Sequence, residues 1–87
     1  MKKINLYTKN FSDIDNIQSK KIVEYNIFEE NQIYKINISE TYKDKNTEKT
    51  LDHIFLNFNE ALNILKFLYE NSIGISNFEY IVEDIII

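Results

Sequence analysis

Apolar and polar residues alternate along three stretches of the chain, the period expected of β-strands that bury one face. The first stretch is short and covers residues 2–8, and the second covers residues 21–29. The third, residues 33–42, is the most regular, and only Glu40 interrupts its apolar face. Residues 29–32 connect the last two stretches and contain an Asn, which tolerates the left-handed backbone of a tight turn. This pattern predicts a hairpin.

Three further segments complete the first two thirds of the chain. Residues 10–19 are rich in Asn, Asp and Ser, which is typical of a loop. Residues 43–49 contain no apolar residue and predict a charged turn. Residues 50–56 are apolar on both faces, which favours a strand that is covered on both sides. We therefore expect three or four strands.

Two helix starts of the same kind follow. Asn57 precedes residues 58–70 and Ser76 precedes residues 77–85, each with a Glu three positions later. A short polar side chain at this position accepts from free backbone N–H groups, and the Glu can reach back. Asn71 is suited to the left-handed end of the first helix. The sequence predicts two C-terminal helices.

An apolar residue just before each cap can pack on another one inside the helix, as a hydrophobic staple. The pairs are Leu56 with Ala61 and Ile75 with Tyr80. Together with the strands, these helices predict an α+β fold, a three- to four-stranded antiparallel sheet followed by two C-terminal helices packed on one face.

Size and composition predict one small domain over residues 1–87. Hydrophobic residues make up 44% of the chain, with six Phe and six Tyr, which is enough material for a core. Cysteine is absent, no signal peptide is recognisable, and no apolar stretch approaches the roughly 18 residues of a membrane span. We expect a cytoplasmic protein that does not bind membranes.

The charge balance argues against nucleic-acid binding. The chain has 14 acidic and 10 basic residues, and all the basic residues are dispersed lysines. Nucleic-acid binding needs a concentrated basic face, in which Arg is the usual reader of guanine and phosphate.

No residue pattern predicts catalysis, a cofactor or a metal site. His53 is the only histidine, and in a strand Asp52 beside it would point to the opposite face, so an ordinary strand histidine is the better interpretation. Residues 44–48 have oxygen donors at alternate positions but lack the Gly and the closing Glu of a calcium loop. We expect a protein that is not an enzyme.

The end of the second helix breaks local rules. Glu83 and Asp84 oppose the helix dipole, and Ile85, Ile86 and Ile87 form an apolar end that exposure would make prone to association. One interpretation is a solvated edge. The other is an acidic lip beside an apolar tail, which together dock a basic and apolar partner.

Tyrosines of the predicted sheet are further candidates for a binding surface. Tyr34 and Tyr42 lie on the apolar face of the third stretch. Tyr is enriched in protein interfaces, although a strand tyrosine at the edge of a core is the commoner case.

The order of elements resembles a known family. The residues that carry this resemblance are Glu24-Tyr25, Tyr34-x-Ile36-x-Ile38, Ala61-x-x-Ile64-Leu65-x-x-Leu68, Ile73 and Phe78-x-x-Ile81-Val82-Glu83-Asp84. They resemble small proteins of Clostridia and related Firmicutes that are catalogued as a domain of unknown function. The resemblance covers about residues 22–85, and Lys35 and Gly74 depart from it. It implies the fold and a bacterial cytoplasmic setting, but no activity.

Two functional hypotheses remain. The first is a non-enzymatic protein that binds another protein or a second copy of itself as a homodimer. The second is a phage or mobile-element inhibitor, such as an anti-CRISPR, whose acidic surface imitates nucleic-acid phosphate. Small size, the net charge of −4 and the absence of Arg motivate the second hypothesis.

Overall fold

The computed structural model describes residues 2–12 and 20–86, in which four strands are followed by two helices. The strands form one antiparallel sheet in the order β1-β2-β3-β4, and both helices pack against one of its faces. The predicted α+β class, sheet and helix positions are therefore confirmed. The elements are β1 Lys2–Ser12, β2 Lys20–Glu30, β3 Ile33–Tyr42, β4 Lys45–Thr50, α1 Phe58–Glu70 and α2 Phe78–Ile86.

Strand β1 is longer than its alternation predicts. It pairs with β2 as far as Ser12, although a loop was expected from Asn10 onward. Pairing with a long neighbour supplies backbone hydrogen bonds that local composition does not reveal. The register shifts between Asn5 and Tyr7, which marks a β-bulge. The rest of the predicted loop, residues 13–19, lies outside the described residues.

Two-residue turns join β2 to β3 and β3 to β4. Asn31 and Gln32 have φ of 50° and 64°, and Lys43 and Asp44 have the same two values. Positive φ at both central residues is the mark of a type I′ turn, which matches the twist of the flanking strands. The hairpin predicted at residues 29–32 is confirmed.

The second turn corrects two predictions. Residues 43–49 are not a charged turn, because the turn takes two residues and β4 follows at once. Residues 50–56 are not a strand beyond Thr50, and an isolated bridge between Tyr34 and Phe55 ties them to the sheet. Strand β4 is an edge strand with exposed side chains, so backbone pairing holds it without any apolar residue.

Helix α1 has the predicted bounds and the predicted cap. The Asn57 Oδ1 atom accepts from the Glu60 backbone N–H at 3.2 Å. The predicted staple is wrong, because Leu56 is 79% exposed while Ala61 is fully buried. The chain enters α1 from the isolated bridge, which turns Leu56 outward.

The end of α1 is a Schellman motif, but its left-handed residue is Ser72 rather than Asn71. The Ile73 N–H donates to the Leu68 carbonyl at 2.9 Å, and the Ser72 N–H donates to the Tyr69 carbonyl at 3.2 Å. These two bonds satisfy carbonyls that the helix end would leave free. The left-handed residue therefore lies one position later than predicted, while the helix itself ends at Glu70 as expected.

Helix α2 begins one residue later than predicted. The Ile81 N–H donates to the Asn77 carbonyl at 3.2 Å, so Asn77 occupies the cap position that was expected for Ser76. Tyr80 is 71% exposed and does not form the predicted staple with Ile75.

The core lies between the sheet and the two helices. Buried residues of β2 and β3 face Ala61, Leu65 and Leu68 of α1 and Phe78 and Val82 of α2. Those strand residues are Val23, Tyr25, Ile27, Ile36 and Ile38. Leu51 and Phe55, which follow β4, are also buried in this core.

Two polar side chains of the sheet fix the connection between the helices. The Tyr25 hydroxyl donates to the Ile73 carbonyl at 2.8 Å, and Glu40 Oε1 accepts from the Ile75 N–H at 2.9 Å. This contact explains why Glu40 interrupts an apolar face. Gly74 lies between the two bonded residues, and a Cβ there would be 2.5 Å from Glu40 Oε1. The only Gly of the chain therefore permits a close approach.

The Tyr25 hydroxyl predicts a loss of stability at high pH. Burial, and then the charge of Glu40, raise the pKa of Tyr25 from 10.0 to about 12. The unfolded chain releases this proton above pH 10 while the folded chain keeps it, so the stabilisation is complete below pH 10 and declines toward pH 12. Urea unfolding of the wild type and of Tyr25→Phe, each across pH 9–12, isolates this group. Their difference in unfolding free energy should shrink over that range, and a constant difference would contradict the assignment.

The sheet face away from the helices carries an amide ladder of Asn5, Asn26, Asn37 and Thr50, one residue from each strand. The Asn5 side chain donates to Asn26 at 2.8 Å, Asn26 donates to Asn37 at 3.0 Å, and Asn37 donates to Thr50 at 3.0 Å and to Glu48 at 3.2 Å. In the described residues no buried side-chain N or O atom lacks a partner. The ladder is a closed polar network that favours one register.

An ion pair shows that the sheet curves toward this face. Lys3 of β1 and Glu48 of β4 approach to 3.8 Å. The strand register places Lys3 level with Lys35 of β3, whereas Glu48 pairs with Ser39 of β3. In a flat sheet the Cα atoms of Lys3 and Glu48 would therefore lie about 20 Å apart. Curvature brings them together. The two central amides of the ladder are completely buried.

Candidate functional site

A cleft of about 410 Å³ separates α2 from the segment that follows β4. Three carboxylates, one imidazole and two aliphatic side chains line it. We call it the acidic cleft, and its residues are Leu51, Asp52, His53, Glu79, Glu83 and Ile86.

One wall of the acidic cleft is the irregular segment after β4. The Leu51 N–H donates to the Ile36 carbonyl at 2.8 Å, and the Leu51 side chain is buried. The chain then leaves the sheet, so Asp52 and His53 are exposed and both line the acidic cleft. The interpretation of His53 as a strand histidine, with Asp52 on the opposite face, is therefore wrong. The His53 ring packs edge-on against Phe55, with centroids 4.6 Å apart.

The other wall is one face of α2. Glu79, Glu83 and Ile86 follow each other at intervals of four and three residues, which places them side by side on a helix. Phe78 and Val82 are fully buried and fix the orientation of that helix. The positions of the acidic side chains therefore follow from how α2 packs.

One lysine partly balances the negative charge of the acidic cleft. Lys49, near the end of β4, forms an ion pair with Glu79. The hydrogen bond with Glu79 raises the pKa of Lys49, and the charges of Glu79, Tyr80 and Asp52 add to this effect. Neither Asp52 nor Glu83 forms an ion pair with a described residue.

The charge around the acidic cleft is part of a wider asymmetry. Residues 50–87 contain six acidic residues and one lysine, a net charge of −5, whereas residues 1–49 contain eight acidic residues and nine lysines, a net charge of +1. The helical half of the chain is therefore the acidic half.

The structure separates the residues proposed for partner binding into groups. Glu83 and Ile86 line the acidic cleft, and Asp84 and Ile85 are exposed on the same helix. Ile87 lies outside the described residues. The acidic lip and the apolar residues next to it are therefore adjacent in space as well as in sequence.

Tyr34 and Tyr42 do not join one surface. They lie at opposite ends of β3, about 27 Å apart along the strand. Tyr34 is half-buried, with its ring edge-on to Phe58 at 5.6 Å. Tyr42 is exposed, with Lys43 Nζ 5.3 Å from its ring centroid.

Four lining residues were not predicted as binding residues: Leu51, Asp52, His53 and Glu79. The spacing of Glu79 and Glu83 by four residues is a signal in the sequence that they share a helix face. Asp52 and His53 gave no such signal, because their position depends on where β4 ends.

Two features are missing from the residues that the structure describes. These residues contain no group of three or more His, Cys, Asp or Glu residues placed to hold a metal ion. They also contain no helix that is long and apolar enough to cross a membrane.

Comparison with protein-family models, with curated proteins and with solved structures finds no match. The resemblance to a clostridial family therefore stays a prediction. The fold and the site define a small α+β domain with an acidic cleft at the side of its last helix.

Proposed function

We propose that the protein is non-enzymatic and acts by binding another protein, which places a basic and apolar segment in the acidic cleft. The observation that carries this proposal is the cleft itself, in which three carboxylates lie beside Ile86 and Leu51. We place the interaction in the cytoplasm, the setting that a chain without cysteine favours.

The chemistry of the acidic cleft matches a lysine or arginine side chain. Such a side chain can lay its aliphatic stem on Ile86 while its charged end meets a carboxylate. Asp52 and Glu83 are open to this contact, since neither has an ion-pair partner in the described part of the chain. Complementary charge also speeds encounter and excludes acidic competitors.

A synthetic peptide of ten residues tests this proposal. It contains two lysines and two isoleucines, and its other residues are serine. We expect it to bind the wild-type protein and a matched peptide with Glu in place of Lys to bind much more weakly. Glu83→Gln should weaken binding of the lysine peptide by about 2- to 5-fold, the effect of one exposed charge pair. Fluorescence anisotropy of labelled peptides measures the dissociation constants.

Glu70→Gln is the matched control. Glu70 is also an exposed helical glutamate near a helix C-terminus, but it lies on α1, away from the acidic cleft. It should leave the affinity unchanged. Equal losses for the Glu83 and Glu70 variants would indicate attraction by net charge alone and would contradict the proposed site.

A second copy of the chain is an alternative partner. The first 49 residues hold nine of the ten lysines and can supply the basic segment to the acidic half of another copy. Light scattering at two salt concentrations distinguishes this case, since a homodimer held by these charges dissociates as salt rises.

The charge asymmetry also supports a second function, that of an anti-CRISPR-like inhibitor that imitates nucleic acid. Six acidic residues against one lysine in residues 50–87 give the helical half a concentrated negative charge. Such an inhibitor competes with DNA for a nuclease. Failure to displace labelled DNA from any member of a nuclease panel at low salt would exclude this function for that panel.

A further inference from the structure

Lys49 is a cation of the chain itself that lies beside the acidic cleft. It extends from β4 on the sheet face turned toward the helices and pairs with Glu79, one of the three lining carboxylates. The other two carboxylates, Asp52 and Glu83, form no ion pair within residues 2–12 and 20–86.

We infer that Lys49 determines how many cations the partner segment carries. Lys49 neutralises Glu79 and so leaves two carboxylates of the acidic cleft free. The segment that binds best therefore carries two cations beside an apolar residue. This inference rests on the proposed function of the acidic cleft. It adds a specificity-determining residue that does not itself line the site.

Exposure of the ion pair determines how Lys49 acts. The side chains of Lys49 and Glu79 are 49% and 39% exposed, so their pairing is screened by water and contributes little to stability. A third cation from the partner must nevertheless compete with an ammonium group that is always present at Glu79. The gain from that third cation is therefore small as long as Lys49 is present.

A series of three peptides tests this inference. Each has ten residues and two isoleucines in a Ser background, with one, two or three lysines. For the wild type, affinity should rise by about 2- to 5-fold from one lysine to two and by less than about twofold from two to three. For Lys49→Gln, the third lysine should raise affinity by about another 2- to 5-fold, the same gain as from the second.

Lys45→Gln is the matched control. Lys45 lies on β4 four residues before Lys49, which places both side chains on the same sheet face, and its loss changes the net charge equally. Glu79 keeps Lys49 in this variant, so affinity should still level off at two lysines. Thermal unfolding followed by circular dichroism checks that both variants fold.

Glu79→Gln provides a second variant if Lys49→Gln does not fold. This variant removes the third carboxylate, so its affinity for the peptides should also stop rising at two lysines. All three peptides should bind it more weakly than they bind the wild type, because Lys49 is left unpaired.

The outcomes separate the two proposals. Equal peptide series for Lys49→Gln and Lys45→Gln would overturn the role of Lys49 and leave the proposed function standing. The role of Lys49 would also be overturned, and the proposed function left standing, if the third lysine raised the affinity for the wild type as much as the second. If no lysine peptide binds the wild type or any variant, both the role of Lys49 and the proposed function are overturned.

Discussion

Phe78→Ala is expected to lower the free energy of unfolding by about 3–5 kcal/mol, the cost of removing a large buried aromatic side chain. Phe78 is fully buried at the start of α2 and is among the largest side chains in the core. Natural domains have only about 5–15 kcal/mol of stability, so this loss is about a fifth of the total or more. Urea unfolding followed by circular dichroism measures the loss.

Tyr80→Ala is the control for this prediction. Tyr80 lies two residues later on the same helix and is 71% exposed, so its replacement should change stability by about 0.5 kcal/mol or less. A loss below about 1 kcal/mol for Phe78→Ala would indicate that α2 does not depend on its contact with the core. The acidic cleft could then not have a fixed wall.

Asn37→Ala is expected to cost about 2–3 kcal/mol, because it leaves the buried Asn26 amide without its acceptor and removes two further hydrogen bonds. Asn37 lies at the centre of the amide ladder and is fully buried. Replacing the exposed Asn46, which donates to Ser39 and Thr41 on the same face, should cost less than about 1 kcal/mol. Urea unfolding compares the two variants.

A double-mutant cycle extends this test to the pair. Asn26→Ala combined with Asn37→Ala removes both partners, so the double variant should lose at least about 1 kcal/mol less than the sum of the single variants. Additive losses would contradict a direct contact between the two amides.

The parts of the fold that local sequence determines were predicted well. Strand β3 and helix α1 have the predicted bounds, because each combines a regular period with a clear turn or cap at its end. The cap at Asn57 forms as expected. These signals act within a few residues, so they can be recognised without the rest of the molecule.

The errors fall where pairing between distant residues decides the structure. Strand β4 has no apolar residue, and only its register with β3 makes it a strand. The apolar residues after Thr50 suggested a strand, but after Leu51 they leave the start of β3 and rejoin it only at Phe55.

The residues of the candidate site were predicted or missed for the same physical reason. Glu83 and Ile86 were predicted as binding residues because they break local rules at the end of α2. Asp52 and His53 lie in the acidic cleft only because β4 ends early, which no local pattern indicates. The structure also supplies Lys49, whose pairing with Glu79 links residues that are 30 positions apart.

The most direct test of the proposed function is a titration of ¹⁵N-labelled protein with the two-lysine peptide, followed by backbone amide chemical shifts. Shifts should concentrate at residues 51–53 and along α2 from Glu79 to Ile86, the two walls of the acidic cleft. Shifts confined to the amide ladder face of the sheet, or no shifts at saturating peptide, would contradict the proposed function.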